Sequence, residues 1–231
     1  MDVRILPDDA ALTAAAVEEF RRSAGTSVAL AGGATPRMVY SALAARTDVP
    51  WEKIHFFWGD ERHVPPDHAD SNFGMADEAM LSKVLVPGVN IHRIHGEEPN
   101  AEVAADAYAA ELRNHFQLGD GQWPRFDLVM LGMGADGHTA SLFPGTTALT
   151  ERSRTVTSTW VEKLMAHRIT LTVPAINNAA CVMFVVSGAD KAETLRLVLR
   201  DHQQPVFPSQ LIRPTNGRLI WLVDEAAAKL F

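Results

Sequence analysis

An α/β fold, one mostly parallel sheet with helices on both faces, is what this sequence predicts. Three observations carry that expectation. Strand-length apolar runs alternate with helical patterns along the chain. The runs are continuously apolar, as strands buried on both faces are, and do not alternate with polar residues. No repeat, linker or low-complexity tract divides the 231 residues, so 1–231 reads as one domain. A globule of that length buries roughly 70% or more of its unfolded surface and needs no covalent staples.

The elements follow in order. Residues 9–24 place Leu12, Ala16, Val17 and Phe20 on one helical face. Ser27 to Ala31 is a short apolar strand ending at Gly32-Gly33. Thr35-Pro36 then opens a helix, threonine serving as cap and proline being tolerated in the first turn. Ile54 to Trp58 reads as a buried strand and Ser71 to Leu85 as a helix. Asn100 caps a helix carrying Val103, Ala104, Ala107, Tyr108 and Leu112 on one stripe. Phe126 to Leu131, Arg168 to Val173 and Val182 to Val186 are further strands, with a small excursion around 140–165. Ala189 to Leu199 is helical, Leu219 to Val223 is a last strand, and Asp224 starts a short terminal helix. The longest irregular stretches fall near 86–99 and 200–215.

Composition narrows the function classes. Hydrophobic residues make up 47% and charged residues 21%, the balance of a globular protein and not of a disordered chain. Twenty-one Lys and Arg against 28 Asp and Glu leave a net charge of −7. That argues against nucleic acid as a partner and against a polybasic membrane anchor. No apolar run approaches the roughly 20 residues of a membrane span, and no signal-peptide core follows Met1-Asp2-Val3-Arg4. The single cysteine, Cys181, lies in an apolar run and reads as a buried thiol. A cytoplasmic protein is expected.

In an open parallel sheet, ligands bind beyond the carboxyl ends of the strands, so the strand-end segments are where chemistry is sought. In Gly32-Gly33-Ala34-Thr35, glycines permit close approach of a ligand to the backbone. The helix start behind them offers free N–H groups suited to phosphate; an ordinary strand-to-helix turn has the same composition. Gly59-Asp60-Glu61-Arg62 puts ionisable groups at a second strand end, either as site residues or as a solvated loop with a local ion pair. Gly132-Met133-Gly134-Ala135-Asp136-Gly137-His138 contains the spacing of a dinucleotide fingerprint. The context is wrong: Pro144-Gly145 follows too soon for a long helix, and the segment lies in mid-chain. What remains is a glycine-supported loop presenting Asp136 and His138. On an extended backbone the carboxylate can orient the imidazole or bind substrate hydroxyls, and a histidine suits general-base work near neutrality. Arg168 and Lys191, near two other strands, are cations able to complete a phosphate site or to remain surface charges. His92 and His95 are three apart, but the flanking Pro87, Gly88 and Pro99 disfavour a helix there, and no metal site is expected.

Taken together and in this order, these segments resemble the 6-phosphogluconolactonase family, related to glucosamine-6-phosphate deaminase. The resemblance rests on Gly32-Gly33-Ala34-Thr35-Pro36, on Gly59 to Arg62 with Ser71-Asn72 following, and on Gly132 through Gly145. His167-Arg168-Ile169-Thr170-Leu171-Thr172 and Ser187-Gly188 to Lys191 complete it. Ala34 stands where the family often has serine or arginine. The resemblance implies a modified Rossmann-type, sugar-phosphate isomerase-like sheet that binds no nucleotide and needs no cofactor. It implies hydrolysis of 6-phospho-D-glucono-1,5-lactone, an activated ester, in the oxidative pentose phosphate pathway. By position, His138 is the implied general base with Asp136 beside it, and Arg62 lies near the lactone. Gly32, Gly33, Ala34, Thr35, Arg168 and Lys191 surround the phosphate, with Asp60 and Asn72 also binding substrate. The deaminase is the nearest alternative; its Phe-Asn-Glu-Pro is replaced here by Ser141-Leu142-Phe143-Pro144, which puts Phe143 at the glutamate's place. A sugar-phosphate-sensing module is the non-enzymatic alternative, and no helix-turn-helix accompanies it. Oligomeric state is not legible.

Overall fold

The computed structural model describes residues 1–200 and 207–231. Along the chain, β1 (Asp2–Leu6) is followed by α1 (Asp9–Ser23), β2 (Ser27–Leu30), α2 (Ala34–Ala44) and β3 (His55–Trp58). Next come β4 (Asp60–Arg62), α3 (Asn72–Ala79), α4 (Ala101–Phe116), β5 (Leu128–Leu131), β6 (Val156–Val161) and β7 (Ala166–Leu171). Then α5 (Val173–Asn177), β8 (Cys181–Val186), α6 (Ala192–Arg200) and β9 (Arg218–Asp224) complete the described elements.

Six strands form the main sheet in the order β1-β9-β8-β5-β2-β3, and every neighbouring pair is parallel. The register sets Val28 against Phe56 and Leu128, Met130 against Met183, and Phe184 against Trp221. Every residue of β2, β5 and β8 is buried, which requires cover on both faces. Helix α1 packs on α2 and over β8 and β9. The Tyr108 hydroxyl of α4 both donates to the carbonyl and accepts from the N–H of Trp58 on β3. Rings of Phe184 and Trp221 stack at 3.8 Å across β8 and β9.

Strand order reverses at the centre of the sheet. From β2 the chain moves outward to β3, whereas from β5 it moves the other way to β8. The carboxyl ends of β2 and β5 therefore flank a crevice of the kind in which open α/β sheets bind ligands. A second, antiparallel sheet in the order β4-β7-β6 lies beside this end. The chain enters it one residue after β3: the Gly59 N–H still donates to Leu30 of the main sheet, while its carbonyl accepts from Leu171.

Local chemistry explains the helix ends. The Asp8 side chain accepts from Ala11 N–H at α1, whose last turn carries Arg21 and Arg22 against the helix dipole. Asn100 caps α4 as expected, accepting from Glu102 N–H at 2.9 Å. Helix α2 departs from expectation: it starts at Ala34, and its cap is Gly33 with φ of 107°, not Thr35. A side chain is strained at that angle, so glycine is required there.

Other expectations need correction. Strand β1 went unseen because Asp2-Val3-Arg4-Ile5-Leu6 is a half-exposed edge strand whose polar residues break the apolar run. Strand β6, Val156 to Val161, is mostly buried yet rich in Thr and Ser, so it also failed the apolar criterion. The charged segment Asp60 to Arg62 is a strand and not a loop. The helix expected from Ser71 to Leu85 ends at Ala79 and gives way to a 3₁₀ turn. On α4 the buried stripe is Ala101, Ala104, Ala105, Tyr108 and Leu112, with Val103 and Ala107 exposed. After Asp224 the chain makes hydrogen-bonded turns, Ala228 N–H to Asp224 carbonyl at 3.0 Å, and no helix. Part of the irregular stretch expected at 200–215, residues 201–206, lies outside the described residues.

Candidate active site

A cavity of about 360 Å³ opens at the carboxyl ends of β2, β5 and β8. Its wall brings together Gly32 to Thr35, Asp60, Arg62, Asn72, His138 and Lys191, from segments far apart in sequence. Two predicted residues lie just outside that wall. Asp136 is hydrogen-bonded to His138, and Arg168 is the direct partner of Arg62 in the β4–β7 ladder. Of the two cations expected at a phosphate, Lys191 lines the cavity itself and Arg168 is the ladder partner of Arg62, which also lines it.

Three glycine positions hold the site residues in place. A Cβ at Gly32 would collide with the Asn72 side-chain amide, and one at Gly134 would collide with the His138 ring. Gly137, with φ of 75°, closes a turn in which Gly137 N–H donates to Gly134 carbonyl and Gly134 N–H to His138 carbonyl, both at 2.9 Å. Asp136 and His138 therefore meet through a tight turn, not along the extended backbone expected. His138 Nδ1 is 2.5 Å from Asp136 Oδ1, and the imidazole stacks on Phe143 at 4.1 Å. Lys163 Nζ bonds the other carboxylate oxygen of Asp136 and lies 4.6 Å from the centre of the Phe143 ring. Burial by itself raises the pKa of Asp136, but the hydrogen bonds from Lys163 and His138 outweigh it and hold the carboxyl at about 2. An ionised Asp136 fixes the proton on Nδ1 and leaves Nε2 as the basic atom.

The opposite wall is a buried polar network. Asp60 is 7% exposed and accepts from Ser141 Oγ at 2.7 Å. The Asn72 amide donates to the Asp60 carbonyl at 2.8 Å. Its own oxygen is, among the described residues, the one buried side-chain oxygen left without a partner. Glu61 accepts from the N–H groups of Arg62, Asn72 and Phe73 at 2.7–2.8 Å, which locks the start of α3 to β4. Burial pushes the Glu61 carboxyl pKa up, only partly offset by those donors. Arg62 reaches over to the Asp70 carbonyl. At the third corner Lys191 Nζ pairs with Asp190 at 2.7 Å, and both residues line the cavity with the Gly32–Thr35 turn.

Sequence reasoning missed Lys163, Ser141 and Asp190. Lys163 is 27 residues from Asp136 and comes from the 3₁₀ turn after β6, so no local spacing announces it. Ser141 belongs to a motif already singled out, but its partner Asp60 is 81 residues away. His95 turns to Glu97 at 3.2 Å and not to His92. Instead, His92 joins His55 and His115, a grouping that the chain order conceals.

The arrangement offers a base with a fixed tautomer, a guanidinium, an ammonium and a glycine turn at a helix start, all around one cavity. Comparison with known proteins shows the family. Residues 8–221 match the family described as glucosamine-6-phosphate isomerases/6-phosphogluconolactonase. The chain is 43% identical over 234 residues to a 6-phosphogluconolactonase of Nostoc, covering 97% of this chain and 96% of that one. It is 46% identical over 209 residues to one of Synechocystis, covering 90% and 85%. A solved 6-phosphogluconolactonase from Trypanosoma brucei superposes with a TM-score of 0.87 at 30% identity, over 99% of this chain and 97% of that one.

Proposed function

This chain belongs to the glucosamine-6-phosphate isomerase/6-phosphogluconolactonase family, and from that premise we propose that it hydrolyses 6-phospho-D-glucono-1,5-lactone to 6-phospho-D-gluconate. The observation that carries the reading is His138, its Nδ1 tied to an ionised Asp136 and its ring on the wall of a cavity that also holds Lys191 and the Gly32–Thr35 turn.

In this reading His138 Nε2 takes a proton from water, and the resulting hydroxide oxygen bonds to the lactone carbonyl carbon. Arg62 stabilises the tetrahedral oxyanion. Collapse breaks the bond to the ring oxygen, which receives the proton from His138 and becomes the C5 hydroxyl, while the new carboxyl group releases its remaining proton to solvent and becomes a carboxylate. A lactone is an activated ester, so positioning, one base and oxyanion donors suffice. Lys191 and the N–H groups at the start of α2 hold the phosphate, with Arg168 adding charge from the strand beside Arg62. Asp60 and the unpartnered Asn72 oxygen receive sugar hydroxyls. Phe143 supports this over deamination, because an aromatic ring packed on the histidine replaces a carboxylate.

The proposal extends to the whole chain: the buried apolar residues from Leu12 to Ala228 form one cluster, in keeping with a single domain over 1–231. It also places the protein in the cytoplasm, with a small-molecule sugar phosphate as partner; no described helix is long and apolar enough to cross a membrane. The test is lactone consumption at slightly acidic pH, where spontaneous hydrolysis is slow, run beside ammonia release from glucosamine 6-phosphate. Lactone turnover without ammonia is expected; ammonia without lactone turnover overturns the reading.

A further inference from the structure

The other end of the sheet carries a second constellation. His55 is the first residue of β3, His92 follows the bridge that pairs Ile91 with Phe56, and His115 lies in the last turn of α4. Their ligand-capable nitrogens all lie within 4.8 Å of one another, and each side chain is half-buried. His55 Nδ1 is 2.9 Å from His92 Nε2. Because parallel strands put His55 at the amino end of β3, the cluster is separated from the cavity by the length of the sheet.

We propose that His55, His92 and His115 form a binding site for a divalent transition ion of the zinc class, distinct from the lactone site. Three features beyond proximity support it. Glu111, one turn before His115 on α4, is 2.7 Å from His92 Nδ1. A carboxylate there accepts a hydrogen bond from Nδ1–H and leaves the Nε2 lone pair facing His55, the outer-shell pattern of metal-binding histidines. The His92 ring is clamped flat against Phe57, 4.4 Å between centres and 6° between planes. The His92 backbone N–H is held by the Phe56 carbonyl at 2.8 Å, so the ligand is fixed in place.

Zinc binds imidazole nitrogen at about 2.0–2.1 Å, which puts tetrahedral ligand atoms about 3.3 Å apart. The present spacing, 2.9 Å for one pair and at most 4.8 Å for the others, needs ring rotations of at most about 1.5 Å to reach that geometry. Three imidazoles on half-buried side chains leave a fourth position to solvent. Nitrogen ligands select zinc, cobalt, nickel or copper over magnesium or calcium.

The test uses chelator-treated full-length protein titrated with Co²⁺, read by its visible ligand-field bands, and with Zn²⁺, read by thermal unfolding. His138→Ala is titrated in parallel to exclude the lactone-site histidine. One equivalent of Co²⁺ giving low-coordinate bands, and an upward shift of Tm with Zn²⁺, are expected in wild type and in His138→Ala alike. His55→Gln and His115→Gln, made separately so that one folded variant suffices, should lose both signals while lactone turnover is retained. Glu111→Gln should weaken Zn²⁺ by about 10- to 100-fold. Absence of bands in wild type overturns the proposal. So do bands that persist in a folded His55→Gln or His115→Gln protein, or that vanish in His138→Ala.

Discussion

Arg62 on β4 and Arg168 on β7 are direct partners in an antiparallel ladder, and Arg62 lines the cavity. Burial first, and then the Arg62 charge, lower the pKa of Arg168, while Asp60, Asp70 and Glu61 oppose them. A pair of like charges held this way is relieved by an anion, whether the substrate phosphate or the oxyanion that forms during hydrolysis. Only Arg62 of the two is on the cavity wall, which divides their expected roles.

Arg62→Ala should lower kcat more than it raises KM, because the guanidinium acts on charge that develops in the transition state. Arg62→Lys should recover only part of the loss, since the planar fork is gone. A pure KM effect would assign Arg62 to ground-state binding.

Lys191→Ala should lower kcat/KM for the phosphorylated lactone by on the order of ten- to a hundredfold, the worth of one charge-assisted hydrogen bond of about 1.5–3 kcal/mol. The lactone lacking the phosphate should be nearly unaffected. Arg168→Ala, being outside the wall, should show the same selectivity at smaller size. If Lys191→Ala lowers both substrates equally, Lys191 does not read the phosphate.

Asp136→Asn should reduce kcat in a protein that still folds, because the His138 tautomer is no longer fixed. Lys163→Met should reduce it less, as His138 still donates to Asp136. The acid limb supplies a second readout. The Asp136 pKa is depressed on folding to about 2, so its stabilisation is present above the unfolded value of about 3.9 and disappears as pH falls through the folded one. In urea unfolding, the stability lead of wild type over Asp136→Asn should shrink between those two pH values. A lead constant with pH would contradict the ionised assignment.

Glu61 shifts the other way. Its folded pKa is raised, chiefly by burial, so the folded state holds the proton more tightly than the unfolded one. Stability from this group is complete below the unfolded value of about 4.3 and is lost as pH rises through the folded value. Glu61→Gln should be destabilised, since an amide nitrogen meets backbone donors at the start of α3, and should lose the wild-type fall in stability across that window. Unfolding curves from pH 4 upward check both outcomes.

Much of this architecture was legible because buried parallel strands announce themselves as uninterrupted apolar runs, and Val182 to Val186 is the plainest case. The strands that escaped are those for which that signal fails: β1 at an exposed edge, the charged β4, and β6, whose Thr157, Ser158 and Thr159 are buried without being apolar. The site was legible where chemistry is local, as in Gly134 to His138, whose glycines are demanded by the His138 ring and by the turn at Gly137. It was not legible where chemistry is assembled by topology. Lys163 reaches Asp136 from the turn after β6, and Arg168 meets Arg62 because β7 pairs with β4. His92 and His115 meet His55 of β3 for the same reason, 37 and 60 residues along the chain from it.

The most direct measurement is kcat and KM for hydrolysis of 6-phospho-D-glucono-1,5-lactone by wild type and by His138→Ala, with circular dichroism to establish that the variant is folded. A base held as His138 is should make kcat fall by on the order of 10²–10⁴, with little change in KM. Near-wild-type turnover in the folded variant would contradict the assignment of His138 as the general base.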